Sequence, residues 1–264
     1  MHQYILSEQA KISVESSGSG KPLMLLHAGI ADKRMWLNEV DYLSKQFQVI
    51  NIDLPGFGKS DILGKDIDYT AVIKSVIHYF QLSEVTILAA SFGAKIAIDY
   101  TLLYPKDVLK LVVVSPSLSG WKNSVELANY EQKEEIVETV KETIALTIQF
   151  WISRNLPSEN LRATTTDLLT DMLENILAKE TDHVEEVNCV DNSLLLLSQL
   201  NLPVLIINGA NDVSDFLEIG VHMQKSVATS EQVVIPSATH LPNLNHPALF
   251  KEVLIRFLSE TQKV

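Results

Sequence analysis

Three residues far apart in the chain have the types and the order that nucleophilic hydrolysis requires. Ser91 stands in "TILAASFGAKIAIDY" (86–100), where a run of small and β-branched residues gives way to an apolar helical pattern. This is the layout of a G-x-S-x-G nucleophile elbow, with Ala89 in place of the first glycine and Gly93 as the second. A chain that turns from strand to helix within a residue or so strains the serine and lifts its hydroxyl above the sheet. The stretch alone leaves a second reading open, because serine is also a favoured N-cap for the helix that follows. The partners decide between them. A serine hydroxyl needs a base, the base needs an orienting acid, and this arrangement runs Ser, Asp, His along the chain. Asp212 follows the strand-like "PVLIING" within "ANDVSDF", and His240 follows "EQVVIP" within "SATHLPNLNHP". The interval between them holds one helix and one strand, so all three residues fall beyond strand carboxyl ends, where open α/β sheets bind ligands. Competing residues fit less well. His246 precedes Pro247 at a helix start, His222 lies within a helix, Asp215 begins the helix after Asp212, and "SPSLSGWKNSV" carries no carboxylate.

A tetrahedral intermediate also needs N–H donors for its oxyanion. Phe92, the residue after the serine, offers one backbone amide; the loop in "LLHAGIADKRMW" offers the other. Gly29 is the preferred donor there, since an amide facing substrate wants no side chain in the way, and Ile30 is second choice. His27 reads as structural. Ile30, Trp121, Trp151 and Leu241 are the candidate pocket residues, with Phe150 and Met172 beside them; the aromatics read equally as packing residues.

The elements that must position these groups alternate. Apolar runs at 23–27, 47–52, 85–90, 111–115, 204–208 and 232–235 have the Val/Ile/Leu composition of strands buried on both faces of a parallel sheet. Helical patterns at 69–82, 92–104, 215–226 and 247–260 lie between them or follow them, and residues 3–15 read as an antiparallel hairpin. Such alternation implies an α/β fold with right-handed crossovers. The stretch from 115 to 203 breaks the rhythm, with about three helical patterns and no convincing strand. Ile136, Val140, Ile144, Ile148 and Ile152 form an i, i+4 ladder, opposite a face with Glu131, Glu134, Glu135, Glu138 and Glu142 that reads as solvated. Leu161 to Leu177 predicts a second helix, and 184–200 a third. An all-helical insertion after the sixth strand is a way to build a lid over a site at the strand ends. The expected organisation is core 1–116, lid 117–202 and core 203–264.

Composition removes other classes. With 264 residues, 46% of them hydrophobic, the chain can bury one large core. A formal net charge of −12 opposes binding to nucleic acid or an anionic membrane. The one cysteine, Cys189, excludes an internal disulfide and fits a reducing compartment. The N-terminal stretch lacks the basic and apolar regions of a signal peptide, and no window reaches the roughly 18 apolar residues of a membrane span. The expectation is a soluble, cytoplasmic protein acting on a fairly apolar small-molecule substrate. "GFGKS" (56–60) and "GSGKP" (18–22) are not phosphate loops, because Asp53 and Pro22 replace essential positions. The scattered histidines offer no metal-site spacing, so neither metal nor cofactor is expected.

Taken together, "LLHAGIADKRMW", "VINIDLPGFGKSD" (49–61), "AASFGAKIAIDY" and "INGANDVSD…ATHLPNLNHP" resemble the α/β-hydrolase fold, specifically its esterase, enol-lactonase and C–C hydrolase group. The resemblance spans nearly everything except the helical insertion. It implies a mostly parallel central sheet flanked by helices, a structural role for the Asp53 loop, and a cofactor-free serine hydrolase. Departures are Ala28 where His-Gly is usual, Ala89 in the elbow, and "ANDV" in the acid loop. The same triad also serves C–C cleavage of a vinylogous diketone, and a slow-turnover binding or signalling protein of this fold is the reading from a different class.

Overall fold

The computed structural model describes residues 1–155, 163–179 and 184–260. Its main sheet comprises β1 (His2–Leu6), β2 (Ala10–Ser17), β3 (Lys21–Leu26), β4 (Phe47–Ile52), β5 (Val85–Ala90), β6 (Val108–Val114), β7 (Val204–Gly209) and β8 (Ser230–Ile235). The spatial order is β1-β2-β4-β3-β5-β6-β7-β8, with a two-residue strand, Asp61–Ile62, added to β2. β1 and β2 form the predicted antiparallel hairpin, β2 meets β4 antiparallel, and every later pairing is parallel. Strand order reverses at β3, which lies between β4 and β5, and Leu26 pairs with Ala89 so that the loops after β3 and β5 leave the sheet side by side. A crevice outside such a switch point is where a doubly wound sheet places its ligand.

The sheet is buried on both faces because its central strands are apolar throughout. Along β5, Ile87 and Ala89 join the layer beneath α2 (Tyr69–Tyr79) and α3 (Phe92–Leu103). Leu88 and Ala90 join the opposite layer with α1 (Leu37–Leu43) and α9 (Pro247–Ser259). This is the period-two alternation of a strand.

Three helices separate β6 from β7: α4 (Val125–Ile136), α5 (Val140–Trp151) and α6 (Ala163–Leu177). They differ from expectation in two ways. The 136–152 ladder is not one helix. Thr139 caps α5 by accepting from the Glu142 N–H at 3.2 Å while its hydroxyl donates to the Glu142 carboxylate at 2.6 Å. An N-cap of this kind starts a new helix, and it leaves Ile136 76% exposed at the end of α4. The expected third helix, 184–200, is also absent. Glu185–Glu186 instead pairs parallel with Asp66–Ile67, and two 3₁₀ turns follow, Ser193–Leu195 and Leu197–Gln199. Asn192 accepts from the Leu195 N–H at 3.3 Å, the local side-chain bond by which Asn competes with helix. Leu197 and Leu200 still reach the core. Leu161 lies outside the described residues. Among those residues no helix is long and apolar enough to cross a membrane.

The remaining helices are α7 (Ser214–Ser226) and α8 (Pro242–Asn245). Glu39 of α1 is fully buried beside Asn243 of α8, and burial pushes its carboxyl up to about 7. Both Glu39 Oε2 and Asn243 Oδ1 are buried acceptors without a donor among the described residues. A proton on Glu39 supplies a donor there. The folded pKa lies above the ordinary 4.5, so between these values the folded state holds a proton that the unfolded state has lost. Stability therefore falls as pH rises from about 4.5 to about 7 and then levels off. Glu39→Gln, which keeps the shape and a donor, should remove this loss. Its unfolding free energy relative to wild type should climb across that window, reaching a gain on the order of 1–3 kcal/mol above pH 7. A difference independent of pH would show that Glu39 is ionised in the fold.

Candidate active site

The elbow is present. β5 ends at Ala90, α3 starts at Phe92, and Ser91 between them has φ 50° and ψ −113°. A non-glycine residue at positive φ is strained and persists only where its surroundings hold it. Here the Ser91 N–H donates to Val114 O of β6 at 2.9 Å, while Ser91 O accepts from Ala94 and Lys95 of α3 at 3.0 and 3.1 Å. The side chain makes no capping hydrogen bond to the helix, so the N-cap reading is set aside. Gly93 is required by close approach: a Cβ there would lie 2.5 Å from His27 O.

The second group forms behind the ends of β7 and β8. Asp212 and His240 are both buried, and His240 Nδ1 lies 2.9 and 3.1 Å from the two Asp212 carboxylate oxygens. A carboxylate oxygen accepts, so Nδ1–H is the donor, which in the neutral imidazole leaves the lone pair on Nε2. The Val213 N–H donates to Asp212 Oδ1 at 2.8 Å and fixes the carboxylate in turn. Gly209 permits this crossing of loops, since a Cβ there would sit 2.2 Å from Thr239 O. The imidazole packs against two aromatic rings that also touch each other, Trp151 at 4.6 Å and Phe216 at 4.4 Å between centroids, with 5.5 Å between the two. The end of α5 is also tied to this loop: the His240 N–H donates to Trp151 O at 3.2 Å and the Thr239 hydroxyl to Ile152 O at 2.9 Å.

Ser91 and His240 line one cavity of about 410 Å³, together with Gly29 and Ile30. Leu127, Trp151 and Phe216 supply apolar wall, and Asn123, Tyr130, Glu131 and Glu134 come from α4 and the loop before it. Gly29 lies against Phe92, since a Cβ on it would be 3.4 Å from Phe92 Cβ. The Phe92 ring itself turns toward Tyr69 and Phe57, with centroids 5.2 and 6.1 Å away.

Of the pocket residues expected from sequence, Ile30 and Trp151 line this cavity and the others do not. Trp121 donates its indole N–H to Asp215 at 3.2 Å. Leu241 and Met172 are fully buried in the core. Phe150 stacks on Tyr130 at 4.1 Å and lines a separate cavity. Phe216, one α-helical turn beyond Asp212, was not singled out by its type; its place on the first turn after the acid loop is the signal that marks it. Asp215 is not the cap of α7, whose N-cap is Val213. Its Oδ1 accepts from the Ser124 N–H at 2.8 Å as well as from Trp121, joining α7 to the start of the helical insertion. Burial pushes this carboxyl up, but those hydrogen bonds outweigh it and hold its pKa below the ordinary value.

His27 and Asp53 serve the scaffold. Buried His27 accepts from the Leu54 N–H at 2.9 Å and has Nδ1 2.8 Å from Ala28 O, and burial lowers its pKa. Asp53 accepts from Lys33 Nζ at 2.7 Å and from the Lys59 N–H at 3.0 Å. Among the described residues no cluster of His, Cys, Asp and Glu has the arrangement to hold a metal ion.

The alpha/beta hydrolase fold family matches residues 21–247, and the chain belongs to it. Its relatives include a 2-hydroxy-6-oxononadienedioate/2-hydroxy-6-oxononatrienedioate hydrolase of Klebsiella pneumoniae, 24% identical over 94% of this chain and 91% of that protein. An (E)-2-((N-methylformamido)methylene)succinate hydrolase of Acinetobacter baylyi is 22% identical over 92% of each. Among solved structures, a carboxylesterase of Bacillus subtilis superposes with a TM-score of 0.81 at 18% identity, covering 98% of this chain and 91% of its own.

Proposed function

We propose that the protein is a serine hydrolase that cleaves an ester, lactone or related carbonyl bond of a small substrate. Ser91 Oγ attacks the carbonyl carbon as His240 Nε2 takes its proton, and the oxyanion accepts hydrogen bonds from the Phe92 and Gly29 amides. The imidazolium, stabilised by Asp212, returns the proton to the leaving oxygen and an acyl-enzyme remains. His240 then takes a proton from water as it attacks the acyl carbon, and the imidazolium returns that proton to Ser91 Oγ as the acid leaves. Residues 117–202 act as the lid. The observation that carries this reading is Ser91 itself, strained at φ 50° with no capping bond and facing a cavity shared with His240.

A second reading, hydrolysis of a C–C bond next to a carbonyl, is favoured by the names of the curated relatives. The same serine would attack, with carbon rather than oxygen leaving as the proton acceptor. A dioate carries two carboxylates, however, and the cavity wall has no lysine or arginine among its described residues to meet them. That argues against a dioate substrate, not against cleavage of a C–C bond in an uncharged one.

A fluorophosphonate tests the site. It should label Ser91 stoichiometrically, located by peptide mass spectrometry, and denatured protein should take up none. Labelling at another residue, or none in folded protein, would overturn the assignment. Rapid labelling without turnover of any ester, lactone or diketone would favour the slow-turnover binding protein.

A further inference from the structure

The wall of the Ser91 cavity has one sign of charge. Glu131 and Glu134 are its charged residues apart from the imidazole of His240, and the described lining includes no lysine or arginine. The nearby cations Lys133 and Arg154 line the separate cavity, where Arg154 is paired with Glu126 at 2.6 Å. Glu131 accepts from Asn123 Nδ2 at 2.8 Å and Glu134 from the buried Tyr130 hydroxyl at 2.9 Å, so each carboxylate is held in place. Each keeps further lone pairs for a ligand. Tyr130, Trp151 and Phe216 line the same cavity, each less than a tenth exposed. Carboxylates next to aromatic faces form the surroundings that attract an alkylammonium. The cavity also reaches the Ser91 side chain, which is 9% exposed and makes no capping hydrogen bond. The two carboxylates and the reacting group thus line one and the same space.

We propose that the substrate is an ester or lactone whose end remote from the reacting carbonyl is an alkylammonium cation, held by Glu131, Glu134 and the adjoining aromatic rings. This rests on the serine-hydrolase reading. The net charge of −12 adds a long-range field of the same sign.

Isosteric esters test it. Choline esters and 3,3-dimethylbutyl esters of one acyl chain have the same shape and differ by one charge; an ester of matched length ending in carboxylate completes the set. A second set places the three groups on the acyl side. In at least one set kcat/KM should follow ammonium, then neutral, then carboxylate, with the first step about fivefold to twentyfold for two solvent-exposed carboxylates. The step should shrink in 0.5–1 M salt, where screening acts within about 3–5 Å. E131Q/E134Q should reduce the ammonium-to-neutral ratio below about twofold at low salt. For a slow enzyme, the rate of fluorophosphonate labelling reads the same order: butyltrimethylammonium should protect Ser91 at lower concentration than 3,3-dimethylbutanol, and butanoate least. Carboxylate matching or surpassing ammonium in both sets and in protection overturns the proposal, as does a ratio unchanged in the double variant. Failure of Ser91 to label is a separate outcome, which removes the hydrolase reading beneath it.

Discussion

Ser91→Ala should lower kcat for any ester the enzyme turns over by at least about 10⁴-fold, leaving only the residual catalysis of the oxyanion donors and the binding cavity. The fold should survive. The Ser91 hydroxyl makes no capping bond, and both serine and alanine carry a Cβ, so the cost of positive φ is already present in the wild type. The melting temperature should therefore change little. His240→Ala should cost a similar factor, and the double variant should be no worse than either single one. Residues acting as one nucleophilic unit lose their function once, not twice. Retention of more than about a tenth of wild-type kcat by Ser91→Ala would place the nucleophile elsewhere. Multiplicative losses in the double variant would show Ser91 and His240 acting independently.

The candidate site was legible where chemistry is tied to an element boundary. Ser91, Asp212 and His240 each follow a strand whose apolar run is unmistakable, and parallel strands bring such positions to one edge. The β1–β2 hairpin and central strands were legible for the same reason. What remained hidden depends on contacts between segments distant in sequence. Trp121 and Trp151 are both aromatic residues of the insertion, yet Trp121 is turned toward Asp215 while Trp151 packs on His240. No local pattern distinguishes them. Asp215 looked like a helix-start residue because acids favour first turns; its bonds to Trp121 and Ser124 appear only once α7 meets the insertion. The break between α4 and α5 is different. It was written locally as Thr139 followed by Glu142, and the apolar ladder across it concealed the stop signal. The acidic face was legible: Glu131, Glu134, Glu135, Glu138 and Glu142 are all exposed, and Glu131 and Glu134 also border the cavity.

Asp212→Asn should lower kcat by about 10³–10⁴-fold at neutral pH, with much smaller changes in KM and melting temperature. The carboxylate accepts from Nδ1–H of His240 at 2.9 Å, which selects the tautomer with a free Nε2 and stabilises the imidazolium formed as Ser91 attacks. An asparagine of the same shape can present its NH₂ instead, pairing with an unprotonated Nδ1 and placing the proton on Nε2, where it blocks the transfer from Ser91. Trp151 and Phe216 still pack against the ring, so the defect is one of proton placement and transition-state charge. Asp215→Asn is the informative control because the residue is close in sequence, buried and also an acceptor of two hydrogen bonds. Its Asn Oδ1 can still accept from Ser124 and Trp121, while the loss of charge weakens both bonds by about 1–2 kcal/mol in total. That variant should lose some stability and keep kcat within about tenfold of wild type, because nothing it touches is a reacting atom. If Asp215→Asn is inactive and Asp212→Asn active, the orienting acid is Asp215 and the pair at 2.9 Å is a structural bond.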